Sequence, residues 1–206
     1  MTHILNEHTL AQGLNAITTR DADMERIFKE VGSPPLWRRE PGFPTLVHII
    51  LEQQVSLASA KAAFDRLVQH VSVLVPQKFL GLDDATLKSI GFSRQKTAYC
   101  RNLARAILEG FLDLDALGAR DERAIRSELL KIKGIGHWTI DIYLLMALGR
   151  TDIWPSGDLA LAVSIQKVKK LASRPSQPEV STIGEAWRPW RSVAAFLLWH
   201  YYLSKN

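Results

Sequence analysis

Apolar residues recur along most of this chain at the three- and four-residue spacing of amphipathic helices, and the alternation typical of strands is almost absent. Polar caps and glycines divide the pattern into segments of helical length. We therefore expect an all-α fold. The predicted helices lie before residue 33, at about 44–52, 57–70, 93–110, 121–130, 137–149 and 158–171, in short pieces within 72–92, and from 192 toward the C-terminus.

The composition suits a folded protein with an anionic partner but does not require one. The chain has 206 residues, of which 47% are hydrophobic, and a formal net charge of +5. That apolar fraction supports a core in one compact unit or in two closely packed subdomains. The modest positive charge is compatible with binding DNA or RNA, and equally with solubility alone.

The side chains offer few ligands for a metal or a disulfide. Cys100 is the single cysteine, so neither a disulfide nor a cysteine-held iron–sulfur cluster can form within one chain. The six histidines show no ligand spacing, and we expect no catalytic metal and no cofactor. Neither a signal peptide nor an apolar run of about 20 residues is visible. We expect a soluble, intracellular protein.

A glycine-rich turn, Lys133-Gly134-Ile135-Gly136, joins two of the predicted helices. Its glycines permit tight backbone angles and leave no side chain between the backbone and a ligand. A turn of this kind that opens a helix presents free amides, which suit a phosphate. The alternative is a plain interhelical turn, because such tripeptides are common.

Other polar and aromatic residues adjoin the predicted helices. Asp158 follows a Trp-Pro-Ser-Gly loop and suits the N-cap of the next helix. Gln53 and Gln54 stand at a corner between helices, where packing does not need them and where a solvated polar corner is the simplest interpretation. Trp37, in the proline-rich loop 33–44, fits either a plug at the edge of the core or a residue at the mouth of a cleft.

Together these stretches resemble the helix-hairpin-helix DNA glycosylase superfamily (HhH-GPD), and within it the DNA-3-methyladenine glycosylase II branch. The resemblance runs from about Phe43 to the C-terminus. Several motifs in the right order are more specific than any one of them. The matching segments are ILEQQVS at 50–56, GFSRQKTA at 91–98, KGIGHWT at 133–139, DIWPSGD at 152–158, and WRPWRS at 187–192 followed by Trp199.

The resemblance implies two helical subdomains that flank a DNA-binding cleft. We expect one subdomain over residues 42–150, with the helix-hairpin-helix, and a second from residues 1–41 and 151–206, with the catalytic Asp. The chain resembles the short members of the branch, which lack an N-terminal β domain.

The resemblance assigns catalysis to Asp158. Cleavage of an N-glycosidic bond passes through an oxocarbenium-like sugar, which a carboxylate stabilises while it orients or deprotonates the attacking water. Trp138 and Trp199 are implied to line the base pocket, the alternative being ordinary core positions. An indole attracts flat, cationic alkylated purines by stacking and cation–π forces. We add Trp37 as a third candidate for this pocket.

The resemblance also implies how DNA is held. A base must leave the duplex before its sugar can be attacked, and the hole must be filled. The wedge position matches Gln54, and Gln53 precedes it. The hairpin is implied to bind a DNA phosphate and one structural monovalent cation, Na+ or K+. The expected phosphate-binding residues are Gly134, Ile135, Gly136, His137 and Thr139, and the expected cation ligands are the carbonyls of Leu130, Ile132 and Ile135.

Two departures from relatives bear on the reaction. Bifunctional relatives place a nucleophilic lysine where this chain has Trp138, and an indole cannot form a Schiff base. We therefore expect a monofunctional enzyme that uses water and leaves an abasic site, without AP-lyase activity. Ile142 stands where the branch often has a tyrosine, which leaves the base preference open.

The expected function is excision of alkylated purines, such as 3-methyladenine and 7-methylguanine, from duplex DNA by a monomer. Its expected location is the cytoplasm or nucleoid, or the nucleus in a eukaryote. Two alternatives stay open: a superfamily enzyme for oxidised or mismatched bases, and a non-catalytic module that binds DNA structure.

Overall fold

The computed structural model describes residues 4–205. Within that range the chain is helical, and its one extended pairing is a single bridge between Ile4 and Arg150. The predicted all-α class is confirmed. No helix in the same range is both long and apolar enough to cross a membrane. The helices are α1 Glu7–Arg20, α2 Ala22–Val31, α3 Phe43–Glu52, α4 Leu57–Val71, α5 Pro76–Leu80, α6 Asp84–Ile90, α7 Arg94–Leu108, α8 Leu114–Leu117, α9 Glu122–Leu130, α10 His137–Ile142, α11 Leu159–Val168, α12 Gln177–Gly184 and α13 Arg191–Ser204, with a π-helical turn at Tyr143–Ala147 and a 3₁₀ turn at Glu185–Trp187.

Polar caps set the start of many helices, including those predicted from about residues 57, 93 and 121. In each case a side-chain oxygen accepts a backbone N–H that the first helical turn cannot satisfy internally. The caps that behave in this way are Asp21, Ser56, Asp83, Ser93 and Asp121.

The chain forms two compact units. The central unit is Arg39–Tyr143, and the terminal unit combines the residues up to Arg38 with those from Leu144 onward. In the terminal unit α13 is buried along most of its length and packs against α1, α2 and α11. In the central unit α3 has the corresponding place, against α4, α7 and α10.

The segment 144–150 belongs to the terminal unit, whereas the sequence suggested a boundary at 150. Backbone contacts explain this placement, because Leu5 N donates to the carbonyl of Gly149 at 2.7 Å. Arg38 Nη1 in turn donates to the carbonyl of Leu5 at 2.7 Å. The chain after α10 is therefore held by the N-terminal segment.

Some helix bounds differ from the predicted ones. The helix that begins at His137 changes to the π-helical turn after Ile142, so it does not continue as an α-helix to Gly149. The segment 174–178 is rich in proline and serine, which is typical of a loop, yet it already contains the start of α12. Pro178 is tolerated there because a proline in the first turn removes an amide that has no intrahelical partner.

Candidate active site and nucleic-acid interface

Asp158 is the N-cap of α11 and lies partly buried in the terminal unit. Its Oδ1 accepts the backbone N–H of Leu161 at 2.8 Å and the indole N–H of Trp199 at 3.0 Å. The two donors come from different helices and fix the orientation of the carboxylate. The N-terminus of α11 also favours a negative charge at this position. Asp158 thus caps α11 and also accepts a hydrogen bond from the indole of Trp199.

Trp199 belongs to an aromatic cluster of the terminal unit. It is 8% exposed, and its ring lies 6.1 Å from that of Phe196. Trp37 packs its edge against Phe196, with 5.4 Å between centroids, and lies 6.3 Å from the ring of His200. Two of the predicted pocket tryptophans, Trp37 and Trp199, are therefore linked through Phe196. Phe196 was not among the predicted site residues, and its only signal in the sequence is its spacing three residues before Trp199.

The WRPWRS segment anchors the start of the loop that leads to Asp158. Arg191 Nε donates to Asp152 Oδ1 at 2.8 Å, and its Nη2 donates to the backbone carbonyl of Asp152 at 2.7 Å. Buried Ser192 donates from Oγ to the carbonyl of Arg150 at 2.7 Å and accepts the N–H of Ile153 at 2.9 Å. The sequence motif gave no role for these two residues, and the structure shows that they hold the loop.

Trp154 holds the middle of the same loop. Its buried indole donates to the carbonyl of Val180 at 2.9 Å, and its ring meets that of Trp187 at 5.3 Å. A Cβ on Gly184 would collide with the indole of Trp154. Only a glycine in α12 therefore admits this ring, and the ring secures the loop four residues before Asp158.

The hairpin between α9 and α10 lies in the central unit, and its glycines have different physical roles. Gly134 has φ +107°, and a Cβ there would overlap the ring of Tyr99, so the fold itself requires glycine. Gly136 has an ordinary φ of −105°, is exposed, and a Cβ there would meet nothing within 4 Å. The fold does not require glycine at position 136, and a bare backbone there suits the close approach of a ligand.

Polar side chains brace the hairpin from within the central unit. Gln53 Nε2 donates to the carbonyl of Gly134 and to Thr139 Oγ1, both at 2.9 Å. Asn102 Nδ2 donates to the carbonyl of Lys133 at 3.3 Å. Thr139 is 1% exposed, so its hydroxyl serves this internal contact and a phosphate contact by its side chain is not supported.

The two glutamines of the corner have different surroundings. Gln53 is the C-cap of α3 and turns inward to the hairpin. Gln54 is exposed and adopts a left-handed backbone with φ +57°. A non-glycine residue in that region is strained by about 1–3 kcal/mol, and such strain is concentrated at functional sites. Gln54 is thus the exposed residue of the corner, whereas the side chain of Gln53 is bonded to the hairpin.

A family model supplies the context for this geometry. The HhH-GPD superfamily of base excision DNA repair proteins matches residues 47–189. The chain belongs to this superfamily. The match includes the corner, the hairpin, Asp158 and the first part of the WRPWRS segment.

Relatives in the superfamily share much of the chain. DNA-3-methyladenine glycosylase 1 of Schizosaccharomyces pombe is 26% identical over 187 residues, which are 87% of this chain and 82% of that protein. DNA-3-methyladenine glycosylase 2 of Escherichia coli is 27% identical over 165 residues, 75% of this chain and 55% of that protein. The chain spans 64% of a Bacillus subtilis relative to which it is 29% identical. The structure of S. pombe 3-methyladenine DNA glycosylase Mag1 in complex with abasic DNA superposes with a TM-score of 0.85 at 25% identity, covering 91% of this chain and 95% of that chain.

Trp138, one of the residues expected to line the base pocket, is half-buried in the first turn of α10. The helix that carries it is tied to α9 by an ion pair, with 2.7 Å between Arg126 Nη2 and Asp141 Oδ1. Burial raises the pKa of Asp141 to about 6, and the neighbouring guanidinium of Arg126 limits that rise. This pair was not predicted from the sequence, because its partners are 15 positions apart and belong to different helices.

A second ion pair holds the base of the corner. Arg39 contacts both carboxylate oxygens of Glu52, at 2.7 and 3.1 Å, and the Glu52 side chain is 6% exposed. His48 lies 3.7 Å from Glu52 and stacks on the ring of Phe64. Burial lowers the pKa of His48, and its surroundings therefore favour the neutral ring. Glu52 of the ILEQQVS motif is thus a structural anchor for the glutamines that follow it.

The hairpin offers backbone oxygens for the expected monovalent cation. Leu130 ends α9, where the helix dipole favours positive charge. The carbonyl of Ile132 also accepts the N–H of Ile135 at 3.0 Å, which closes the turn between them. No group of three or more His, Cys, Asp or Glu side chains suited to a metal occurs among residues 4–205. A cation at the hairpin would therefore depend on carbonyls, which suit Na+ or K+.

Proposed function

We propose that the protein is a monofunctional DNA glycosylase that excises alkylated purines from duplex DNA by hydrolysis. One observation carries the proposal: the Asp158 carboxylate stands at a helix N-terminus and is oriented by the Trp199 indole. Membership of a superfamily of base excision repair proteins, and relatives named as 3-methyladenine glycosylases, support it.

Asp158 carries the chemistry. As the C1′–N bond breaks, its electron pair leaves with the base and the sugar gains oxocarbenium character, which a nearby carboxylate stabilises. Asp158 orients a water whose oxygen forms the new bond to C1′, and the water's proton passes to the carboxylate or to solvent. An alkylated purine that already carries positive charge departs as a neutral base. No strong general acid is needed for such a substrate.

The aromatic residues select the base. Trp138 presents an electron-rich indole, and an indole attracts a flat cation with about 0.5–2 kcal/mol. Trp199 uses its N–H on Asp158, so its contribution to base binding comes from the ring. Trp37 acts on the base through its contact with Phe196, which supports Trp199. With Trp138 in place of lysine, the reaction stops at the abasic site.

The backbone amides of the hairpin and the side chain of Gln54 at the corner hold the DNA. Gly136 and His137 present the amides at the start of α10 to a phosphate, and Gly136 leaves room for it. Gln54 enters the duplex in place of the extruded base, where its amide can bond the orphaned partner. A Na+ or K+ on the carbonyls of Leu130, Ile132 and Ile135 would strengthen phosphate binding by its charge. The enzyme acts as a monomer wherever the cell keeps its DNA.

A panel of duplexes tests the proposal. Oligonucleotides that contain 7-methylguanine, 8-oxoguanine or a mismatched base, together with DNA methylated to contain 3-methyladenine, are incubated with the protein. Free base is measured by chromatography, and abasic sites by strand scission with and without alkali. We expect release of the methylated purines and scission only after alkali.

Other results would assign a different function to the protein. Selective release of 8-oxoguanine or of a mismatched base would replace the alkylation assignment. Scission without alkali, with trapping by borohydride, would contradict a monofunctional reaction. Tight binding without turnover on any duplex would favour a module that only binds DNA structure.

A further inference from the structure

The side-chain amide of Gln53 connects the corner to the hairpin, which are far apart in sequence. A primary amide has two N–H donors. One donates to the carbonyl of Gly134, 81 positions later, and the other to Thr139 Oγ1, 86 positions later. Both donors are therefore committed to the hairpin, one to its turn and one to the helix that follows it.

The backbone at the corner explains why only one glutamine makes these bonds. Gln53 ends α3 with φ −59° and ψ 121°, and Gln54 then adopts φ +57°. The reversal directs Gln53 inward and leaves Gln54 exposed. The residue that is tied to the hairpin thus directly precedes the residue at the tip of the corner.

One face of helix α7 contacts both the corner and the hairpin. Lys96 Nζ donates to the carbonyl of Leu51 at the end of α3, at 2.5 Å. One turn later the ring of Tyr99 packs on Gly134, and Asn102 donates to the carbonyl of Lys133. Residues spaced by three share a helix face. This face supports the corner and the hairpin, and Gln53 is the side chain that connects them directly.

We propose that Gln53 is a positioning residue that fixes the register between the corner and the hairpin. Binding of a DNA phosphate at Gly136 and insertion of Gln54 into the duplex then occur together. Binding of the DNA backbone thereby promotes extrusion of the base. This inference rests on the proposed function. It concerns neither a contact of Gln53 with DNA nor a part of Gln53 in the chemical step.

Glutamine is the residue that these bonds need. Methionine has a similar length but no donor, so it would leave the partly buried carbonyl of Gly134 and the buried hydroxyl of Thr139 without this partner. Glutamate would set an oxygen against the carbonyl of Gly134. Asparagine keeps the amide but is one methylene too short to reach both acceptors. Asn102 supplies a matched control, because its bond supports the hairpin and has no connection to the corner.

The test compares Gln53→Met with Asn102→Leu in the 206-residue protein. A duplex with a tetrahydrofuran abasic analogue carries 2-aminopurine beside it, and stopped-flow fluorescence follows unstacking. We expect Gln53→Met to slow unstacking by about tenfold, and to change the Kd for undamaged duplex by less than about threefold. Asn102→Leu is expected to unstack at close to the wild-type rate. The shorter amide of Gln53→Asn serves the same comparison if the methionine variant does not fold.

Several results would overturn the inference. One is a normal unstacking rate in Gln53→Met together with a lower Tm, which would make Gln53 a purely structural residue. Another is an equal loss of unstacking in Gln53→Met and Asn102→Leu. A third is a fluorescence change in the wild type that Gln54→Ala does not alter, because the corner would then not be the inserting element. A wild type that unstacks normally but releases no base would refute the proposed function and leave this link intact.

Discussion

The two glycines of the hairpin provide a sharp test, because alanine should have opposite effects at the two positions. At Gly134 the backbone has φ +107° and a Cβ would overlap the ring of Tyr99. At Gly136 φ is −105° and a Cβ would enter open space. We predict that Gly134→Ala destabilises the protein, and that Gly136→Ala leaves the fold intact and weakens DNA binding.

The expected magnitudes follow from these environments. A left-handed alanine costs about 1–2 kcal/mol and the overlap adds about 1–3 kcal/mol, so Gly134→Ala should lower the free energy of unfolding by about 2–5 kcal/mol. Gly136→Ala should change it by less than about 1 kcal/mol, because the gain from a more restricted unfolded chain is offset by the weaker preference of alanine for the N-cap position that Gly136 occupies. A methyl group that blocks one charge-assisted bond to phosphate removes about 1.5–3 kcal/mol of binding, roughly a tenfold to hundredfold weaker Kd.

Denaturant unfolding and fluorescence anisotropy with an abasic-analogue duplex measure the two effects. The loss of affinity in Gly136→Ala should be similar at low and high salt, because a backbone amide releases no additional counterions as a lysine contact would. Wild-type affinity in Gly136→Ala would refute close approach of a phosphate at this glycine. Wild-type stability in Gly134→Ala would refute the packing of Tyr99.

Three further predictions concern the carboxylates. Trp199→Phe keeps an aromatic ring but removes the indole N–H that donates the 3.0 Å bond to Asp158, so the single-turnover rate of base release should fall by about tenfold to hundredfold; an unchanged rate would show that the bond does not orient the carboxylate. Burial raises the pKa of Asp141 from the ordinary 3.8 to about 6, so the folded state holds this proton more tightly and the group's contribution to stability falls as the pH rises between those values. Asp141→Asn should lack that fall, and parallel curves of unfolding free energy against pH for the two proteins would contradict the assignment. Arg191→Lys replaces the two-pronged contact of the guanidinium with Asp152 by a single ammonium group. It should slow base release about tenfold without changing the Kd for undamaged duplex. Equal losses in the rate of base release and in the affinity for undamaged duplex would instead indicate a direct role of Arg191 in DNA binding.

The sequence predicted those parts of the fold that local patterns determine. Caps such as Asp121 and Ser93 give their helix starts directly, because an N-cap acts within three residues of itself. The end of the helix that begins at His137 was not predictable, since nothing in the local pattern distinguishes a π-helical turn from a continued α-helix. The start of α12 was hidden by the prolines and serines that also signal a loop.

The candidate site divides in a similar way. Asp158 as an N-cap is a local property, and the structure has it in that role. The inward direction of Gln53 depends on a hairpin 81 positions later, and neighbouring glutamines look alike in sequence. The anchoring of Asp152 by Arg191 and the raised pKa of Asp141 likewise arise from contacts between helices. Residue type and spacing alone could not supply them.

The most direct test of the central claim is base release by the wild type and by Asp158→Asn from DNA that contains 3-methyladenine and 7-methylguanine. Asparagine can still accept the bonds from Leu161 and Trp199, so the cap is retained while the negative charge is lost. We predict release by the wild type, release by the variant reduced by at least about a hundredfold, and a similar Kd of both for an abasic-analogue duplex. Equal release by the two proteins would contradict the catalytic role of Asp158.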